Sequence, residues 1–342
     1  MREKDGWRFF IGAGSRDGHA MALTYTSRNL HEWTYDGVAA ERATTQTEPV
    51  WTGRLWECPQ FVDVDGIWAM ISSVWDDDVL HYAAYGLGRY DGGRFSATSW
   101  GRLSHGNSYY APSVFRDAEG RPSLMFWMRE VMDAEQGWAG CLSVPHRLVA
   151  TDDGRLGTIL HPQIRRRFGP GDPSDAARRP VLLSWRPSNG SVLHLGEGAR
   201  LNRHGKVLTL RLGSGAPRSM PFRGGAVEVL LDGPALEVFS AGDVLADPSS
   251  RRRRSRGRAP HRFGLRGGRV RMNSPASRGG ARIPRRRLMR AIAAASALMA
   301  VPAPSEATAP ARAASATGDG LDAVSDLNAM SDPTPPILIG LL

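Results

Sequence analysis

The chain has 342 residues and a formal net charge of +10, yet that charge is local: residues 251–290 hold sixteen arginines with no lysine and no acidic residue, so the remainder is net acidic. The pI of about 10.3 therefore marks one basic segment, and excludes reading the folded part as a basic nucleic-acid-binding domain. Two cysteines, Cys58 and Cys141, exclude a disulfide framework, and no apolar run has the length of a membrane-spanning helix.

The opening residues, Met1-Arg2-Glu3-Lys4-Asp5-Gly6, have no signal-peptide character, which implies a cytoplasmic protein if this start is genuine. From residue 7 to about 160 the pattern is short apolar or alternating runs separated by turn residues. Strands are predicted at 7–13, 19–26, 32–35, 60–64, 67–74, 80–85, 94–98, 113–116 and 123–129. The separators are Arg16-Asp17-Gly18, Asp65-Gly66, Asp91-Gly92-Gly93, Glu119-Gly120-Arg121-Pro122 and Asp153-Gly154. No amphipathic helix of three turns precedes residue 160. Many short, evenly spaced strands predict an all-β sandwich, barrel or propeller. A turn-then-strand unit recurs at Asp5-Gly6-Trp7, Asp65-Gly66-Ile67-Trp68 and Glu119-Gly120-Arg121. That spacing, roughly 55–60 residues, suits a four-stranded propeller blade with a functional loop.

Residues 161–180 are rich in Pro, Gly and Arg and read as a linker. A second β-region at 181–247 contains an alternating run at 206–212 and a hairpin formed by 226–233 and 235–240, consistent with part of a β-sandwich. Residues 248–342 are expected to be a disordered tail, Arg-rich and then Ala/Pro-rich. Within it a basic cluster at 285–290, an apolar run at 291–303 and Ala-x-Ala sites near 311–316 have the layout of a secretory signal peptide in the wrong place, as expected of read-through into another frame.

Chemistry concentrates in four strings: Trp56-Glu57-Cys58-Pro59-Gln60-Phe61, Tyr109-Tyr110-Ala111-Pro112, Phe126-Trp127-Met128-Arg129-Glu130 and Gly137-Trp138-Ala139-Gly140. A glutamate set among aromatic and apolar neighbours can hold its proton near neutral pH and deliver it. Asp76-Asp77-Asp78 reads as a solvated loop rather than a cation site, and His105 and His146 lack metal-ligand spacing and read as packing or hydrogen-bonding residues. No metal or cofactor is expected. The arginine tail lacks interleaved aromatics, so no specific nucleic-acid partner is expected, nor a membrane.

Taken together, these strings and the run Cys141-Leu142-Ser143-Val144-Pro145-His146 resemble glycoside hydrolase family 32, the invertases, levanases, inulinases and sucrose-6-phosphate hydrolases. Val229-Leu230-Leu231-Asp232-Gly233-Pro234-Ala235-Leu236-Glu237-Val238-Phe239 resembles the hairpin of that family's appended sandwich. The resemblance implies a five-bladed β-propeller over residues 1–160, followed by a sandwich. It also implies retaining cleavage of β-fructosides such as sucrose or fructans, through a fructosyl-enzyme intermediate. By the same resemblance Glu57 is the acid/base, and Trp56, Cys58, Tyr110 and Trp127 line the sugar pocket, with Tyr109 beside them.

The chain departs from the pattern in one respect. The family's nucleophile sits in Asn-Asp-Pro and its transition-state stabiliser in Arg-Asp-Pro, and neither tripeptide occurs here. Arg16-Asp17 and Arg116-Asp117 are followed by Gly and Ala, and both fall at predicted turns. The propeller is therefore expected to be incomplete, lacking blade one and the entry strand of blade two, and the fragment is expected to be inactive. The competing reading is a non-catalytic carbohydrate-binding remnant. A related arabinoside-cleaving propeller fits the Glu-Cys-Pro string less well.

Overall fold

A computed structural model describes residues 1–170, 179–196, 198–248, 265–266, 269–275 and 337–339. Strands β1 (Arg2–Glu3), β2 (Gly6–Ser15), β3 (His19–Ser27) and β4 (Thr34–Ala43) form a first antiparallel sheet in chain order. A second is built likewise from β5 (Leu55–Val64), β6 (Ile67–Asp76), β7 (Val79–Asp91) and β8 (Arg94–Arg102). After β9 (His105–Gly106), a third sheet contains β10 (Tyr109–Arg116), β11 (Pro122–Asp133), β12 (Trp138–Leu142), β13 (His146–Ala150) and β14 (Leu156–Leu160). Its order is β10-β11-β13-β14, with β12 also paired to β11.

The turns follow directly from residue type. Asp65-Gly66, Asp77-Asp78 and Gly92-Gly93 all have positive φ at both positions and join paired strands through two residues. This is the turn whose twist matches that of a hairpin, and it selects Gly, Asn and Asp. The Asp76-Asp77-Asp78 run is thus hairpin chemistry, and Asp76 pairs with Arg54 at 3.1 Å.

The 161–180 stretch contains a single helical turn, α1 (Pro162–Arg165), entered through His161, whose ring accepts a hydrogen bond from the Gln163 amide at 3.2 Å. It also contains a short strand, β15 (Phe168–Pro170). Beyond it come β16 (Val181–Arg186), β17 (Val192–Gly196), β18 (Ala199–His204), β19 (Val207–Leu212), β20 (Arg218–Pro221), β21 (Val227–Asp232), β22 (Ala235–Ser240), β23 (Asp243–Pro248), β24 (Leu265–Arg266), β25 (Arg269–Pro275) and β26 (Ile337–Ile339). They make a seven-stranded sheet, β15-β25-β16-β21-β22-β23-β9, and a five-stranded one, β20-β19-β18-β17-β24, while β26 pairs with β2. The tail was expected to be without structure throughout. Instead β25 runs antiparallel to β16, Leu182 facing Asn273 and Arg186 facing Arg269. Its alternating Arg269-Val270-Arg271-Met272 suits a strand, and the open edge of β16 supplies the partner. The signal-peptide-like stretch at 285–316 lies outside the described residues.

The unbroken apolar run at 229–231 has a clear cause. Leu182 and Leu230 join the core shared with the second and third sheets, beside Tyr109, Phe126 and Met128. Their neighbours Val181, Leu183, Val229 and Leu231 join a second core with Leu193, Leu201, Leu208 and Leu210 of the five-stranded sheet. A strand covered on both faces loses the polar alternation of a half-exposed one.

Candidate active site

Glu57 lies on β5 and is half-buried. Its strand pairs with β6 in regular register up to Glu57 opposite Ser73; pairing resumes with Gln60 opposite Ile71, leaving Cys58-Pro59 as a bulge. The same construction recurs on β10. Tyr110 faces Trp127 and Ser113 faces Met125, so Ala111-Pro112 bulge out. In both bulges the residue before proline has positive φ, 49° at Cys58 and 39° at Ala111. Proline removes a ladder donor, and a bulge re-aims the side chains beside it. The Cys-Pro and Ala-Pro steps of the sequence are therefore the devices that turn Glu57 and Tyr110 toward each other.

Their hydroxyl and carboxylate meet: Tyr110 Oη donates to Glu57 Oε2. Gln60 ties the two bulges together, its amide donating to the Pro112 carbonyl while its Oε1 accepts the Val114 N–H at 2.8 Å. Ser73 Oγ accepts the Ala111 N–H at 2.9 Å. The Arg129 guanidinium lies 5.0 Å from the centre of the Tyr110 ring and is itself held by the Asn107 carbonyl at 2.8 Å. Burial, and then the bond to Glu57, push the Tyr110 phenol well above its ordinary pKa, so it remains a donor at any working pH. A donor that cannot ionise keeps the carboxyl group in one orientation.

Among the residues singled out in sequence, Glu57 and Tyr110 are in direct contact. Trp127 stands opposite Tyr110 in the ladder and is 40% exposed, and Cys58 is exposed at the bulge. Trp56, expected to contact sugar, is fully buried instead. Its indole donates to the Thr52 carbonyl at 3.1 Å and packs on Trp100 with ring centres 5.4 Å apart. Adjacent strand residues point to opposite faces, so aiming Glu57 one way buries Trp56 the other. Sequence reasoning did not single out Gln60, Ser73 or Arg129. Gln60 and Arg129 stand within the motif strings themselves, but nothing in Ser72-Ser73 distinguishes a bulge anchor from a surface serine.

Both Arg-Asp pairs are at turns. Asp17 accepts a hydrogen bond from Ser15 Oγ. The Asp117 side chain is almost wholly enclosed: it binds Arg121 at 2.7 Å and His161 at 3.0 Å, and its carboxylate also accepts the Glu119 and Arg121 amides. Despite the opposing effect of burial, these bonds bring its pKa down to about 2. His105 and His146 pair with Asp243 (3.5 Å) and Glu237 (3.0 Å), in keeping with hydrogen-bonding roles. Among the described residues no group of three or more His, Cys, Asp or Glu is arranged to hold a metal ion.

The all-β fold thus presents a carboxyl group on a bulged strand, hydrogen-bonded by a phenol whose ladder partner is an exposed indole. Over residues 1–160 the chain matches the glycosyl hydrolases family 32 N-terminal domain. It is 25% identical over 287 residues to the sucrose-6-phosphate hydrolase of Escherichia coli, covering 70% of this chain and 57% of that protein. With the raffinose invertase of Escherichia coli it shares 26% over 244 residues, covering 61% and 49%. It thus spans about half the length of the curated relatives it matches. Among solved structures, a Bombyx mori GH32 beta-fructofuranosidase mutant in complex with sucrose aligns with a TM-score of 0.64 at 18% identity, covering 80% of this chain and 64% of that one. The sucrose-6-phosphate hydrolase from Lactobacillus gasseri aligns with a TM-score of 0.62 at 17% identity, covering 81% and 65%. At these identities the structural likeness speaks for the fold.

Proposed function

We propose that this chain carries the acid/base half of a β-fructofuranosidase site, with Glu57 the proton donor to the glycosidic oxygen of a terminal β-fructoside. The observation that carries this reading is the Tyr110–Glu57 hydrogen bond between two strand bulges. It orients a carboxyl group next to the exposed Cys58, and the ladder partner of Tyr110 is the exposed Trp127. In such a mechanism Glu57 protonates the leaving oxygen and then, as the carboxylate, activates water. Trp127 offers an apolar face to the sugar ring, while Tyr110 and Arg129 hold the carboxyl and its surroundings. The three β-sheets of residues 1–160 are read as propeller blades, and the two later sheets as a sandwich. Sucrose and its 6-phosphate are the substrate class that the relatives' names suggest.

Retaining chemistry also needs a nucleophilic carboxylate about 5 Å from the acid/base. The sequence contains neither Asn-Asp-Pro nor Arg-Asp-Pro, and Asp17 and Asp117 are engaged in their own turns. This favours sugar binding without turnover by these 342 residues alone. The test is calorimetric titration with fructose together with glucose release from sucrose. Saturable fructose binding that Trp127→Ala weakens is expected, with no glucose release. Absence of any fructose binding would defeat the reading, and turnover abolished by Glu57→Gln would show that the full machine is present.

A further inference from the structure

Tyr109 and Tyr110 are neighbours on β10, and their hydroxyls serve two different carboxylates. Tyr110 donates to Glu57. Tyr109 donates to Glu237 Oε2 at 2.6 Å. Glu237 belongs to β22, in the seven-stranded sheet, and is 3% exposed. Its Oε1 accepts the Val144 N–H at 3.1 Å, and its Oε2 lies 3.0 Å from His146 Nε2. The rings of Tyr109, Phe126 and Phe239 surround His146, with centres 5.5, 5.4 and 4.9 Å from it. A buried carboxylate that accepts from both Tyr109 and Val144 is costly to disturb, although His146 Nδ1 beside it has no hydrogen-bond partner.

The network grips the strand next to the site. The Tyr109 ring stacks on Phe126 at 4.4 Å with planes 28° apart. One residue beyond Tyr110, the Ala111 N–H is fixed to Ser73 Oγ. The start of β10 is thereby pinned from the seven-stranded sheet on one side and from β6 on the other. Tyr110 lies between these two anchors along the strand.

We infer that Glu237 is a positioning residue for Glu57: through Tyr109 and the strand shared with Tyr110, the seven-stranded sheet sets the orientation of the acid/base carboxyl. The inference takes from the proposed function only the role of Glu57.

The test is proton NMR of the Tyr110 hydroxyl in the full 342-residue chain, the signal being assigned by its loss in Tyr110→Phe. Tyr109→Phe keeps the stacked ring and removes only the anchor, and Glu237→Gln removes the charge. Both are expected to speed solvent exchange of the Tyr110 hydroxyl proton about tenfold, equivalent to about 1.4 kcal/mol of lost protection. Asp243→Asn breaks the other buried His–carboxylate pair of the same sheet and serves as a control for general loosening. It is expected to leave that exchange rate unchanged even where it lowers Tm equally. Unaltered exchange in Tyr109→Phe and Glu237→Gln would overturn the inference, as would equal acceleration in Asp243→Asn. Fructose titration of the same samples separates the two readings. Accelerated exchange in a protein that does not bind fructose supports the positioning role and removes only the sugar assignment.

Discussion

Gly12→Ala is the most severe single-methyl change that the site's surroundings offer. Gly12 lies on β2, where the first sheet crosses the backbone of β5 immediately before Glu57. A Cβ built there would stand 1.6 Å from the Trp56 carbonyl oxygen and 3.3 Å from the Glu57 Cα. Ordinary contact begins near 3.4 Å, so the two backbones must part by about 1.8 Å, and no flexible side chain can absorb the difference. Overpacking costs about 1–3 kcal/mol when side chains can adjust, and a backbone collision belongs at or above the top of that range. About 3 kcal/mol corresponds to roughly 6–12 °C in Tm for a domain of this size. Gly120→Ala is the reference. It has nothing within 4 Å of the new methyl but sits at φ +77°, so it carries only the left-handed penalty of about 1–2 kcal/mol. Urea and thermal denaturation of both variants, with fructose titration, test the reasoning. A Gly12→Ala protein within about 0.5 kcal/mol of wild type, or more stable than Gly120→Ala, would refute it.

Three further outcomes are expected. Tyr110→Phe should lose one intramolecular hydrogen bond, about 0.5–1.5 kcal/mol, in urea denaturation, and should weaken fructose binding; unchanged affinity would remove Tyr110 from the site. Asp117 has a folded-state pKa of about 2, depressed below the unfolded carboxyl value of about 3.9. Its stabilisation should be complete above pH 4 and lost as the pH falls toward 2; in Asp117→Ala the stability profile should flatten across that window. Asp247 behaves oppositely: burial raises it to about 6, the Arg218 charge only partly offsetting this and Glu130 adding to it. Its contribution is therefore greatest below about pH 4 and is lost as the pH rises through 6. Asp247→Asn should accordingly gain stability relative to wild type at pH 7 more than at pH 4, and equal differences at the two pH values would contradict this.

The strands of residues 1–160 were legible because their signals are local. Asp65-Gly66 and Gly92-Gly93 specify tight turns, and the runs between them alternate. Residues 138–142, 146–150 and 156–160 were harder. Gly140, Pro145 and Gly157 interrupt their patterns, and their pairing partners on β11, β13 and β14 supply what local propensity lacks. Arg269–Pro275 reads as too basic to fold by itself, and becomes a strand because β16 offers an unpaired edge.

Residue order alone was enough to determine the all-β class, the family strings, Glu57 as the candidate acid/base and the absence of the two Asp-Pro motifs. Each of these depends on residue identity and short-range spacing. Tertiary structure decided that Trp56 is core while its neighbour Glu57 faces the site, because strand geometry must send one of them inward. It also brought Glu237, 180 residues downstream of Glu57, to the tyrosine next to the one that holds that carboxylate. No local pattern encodes such a contact, since it arises only when distant sheets close over a common core.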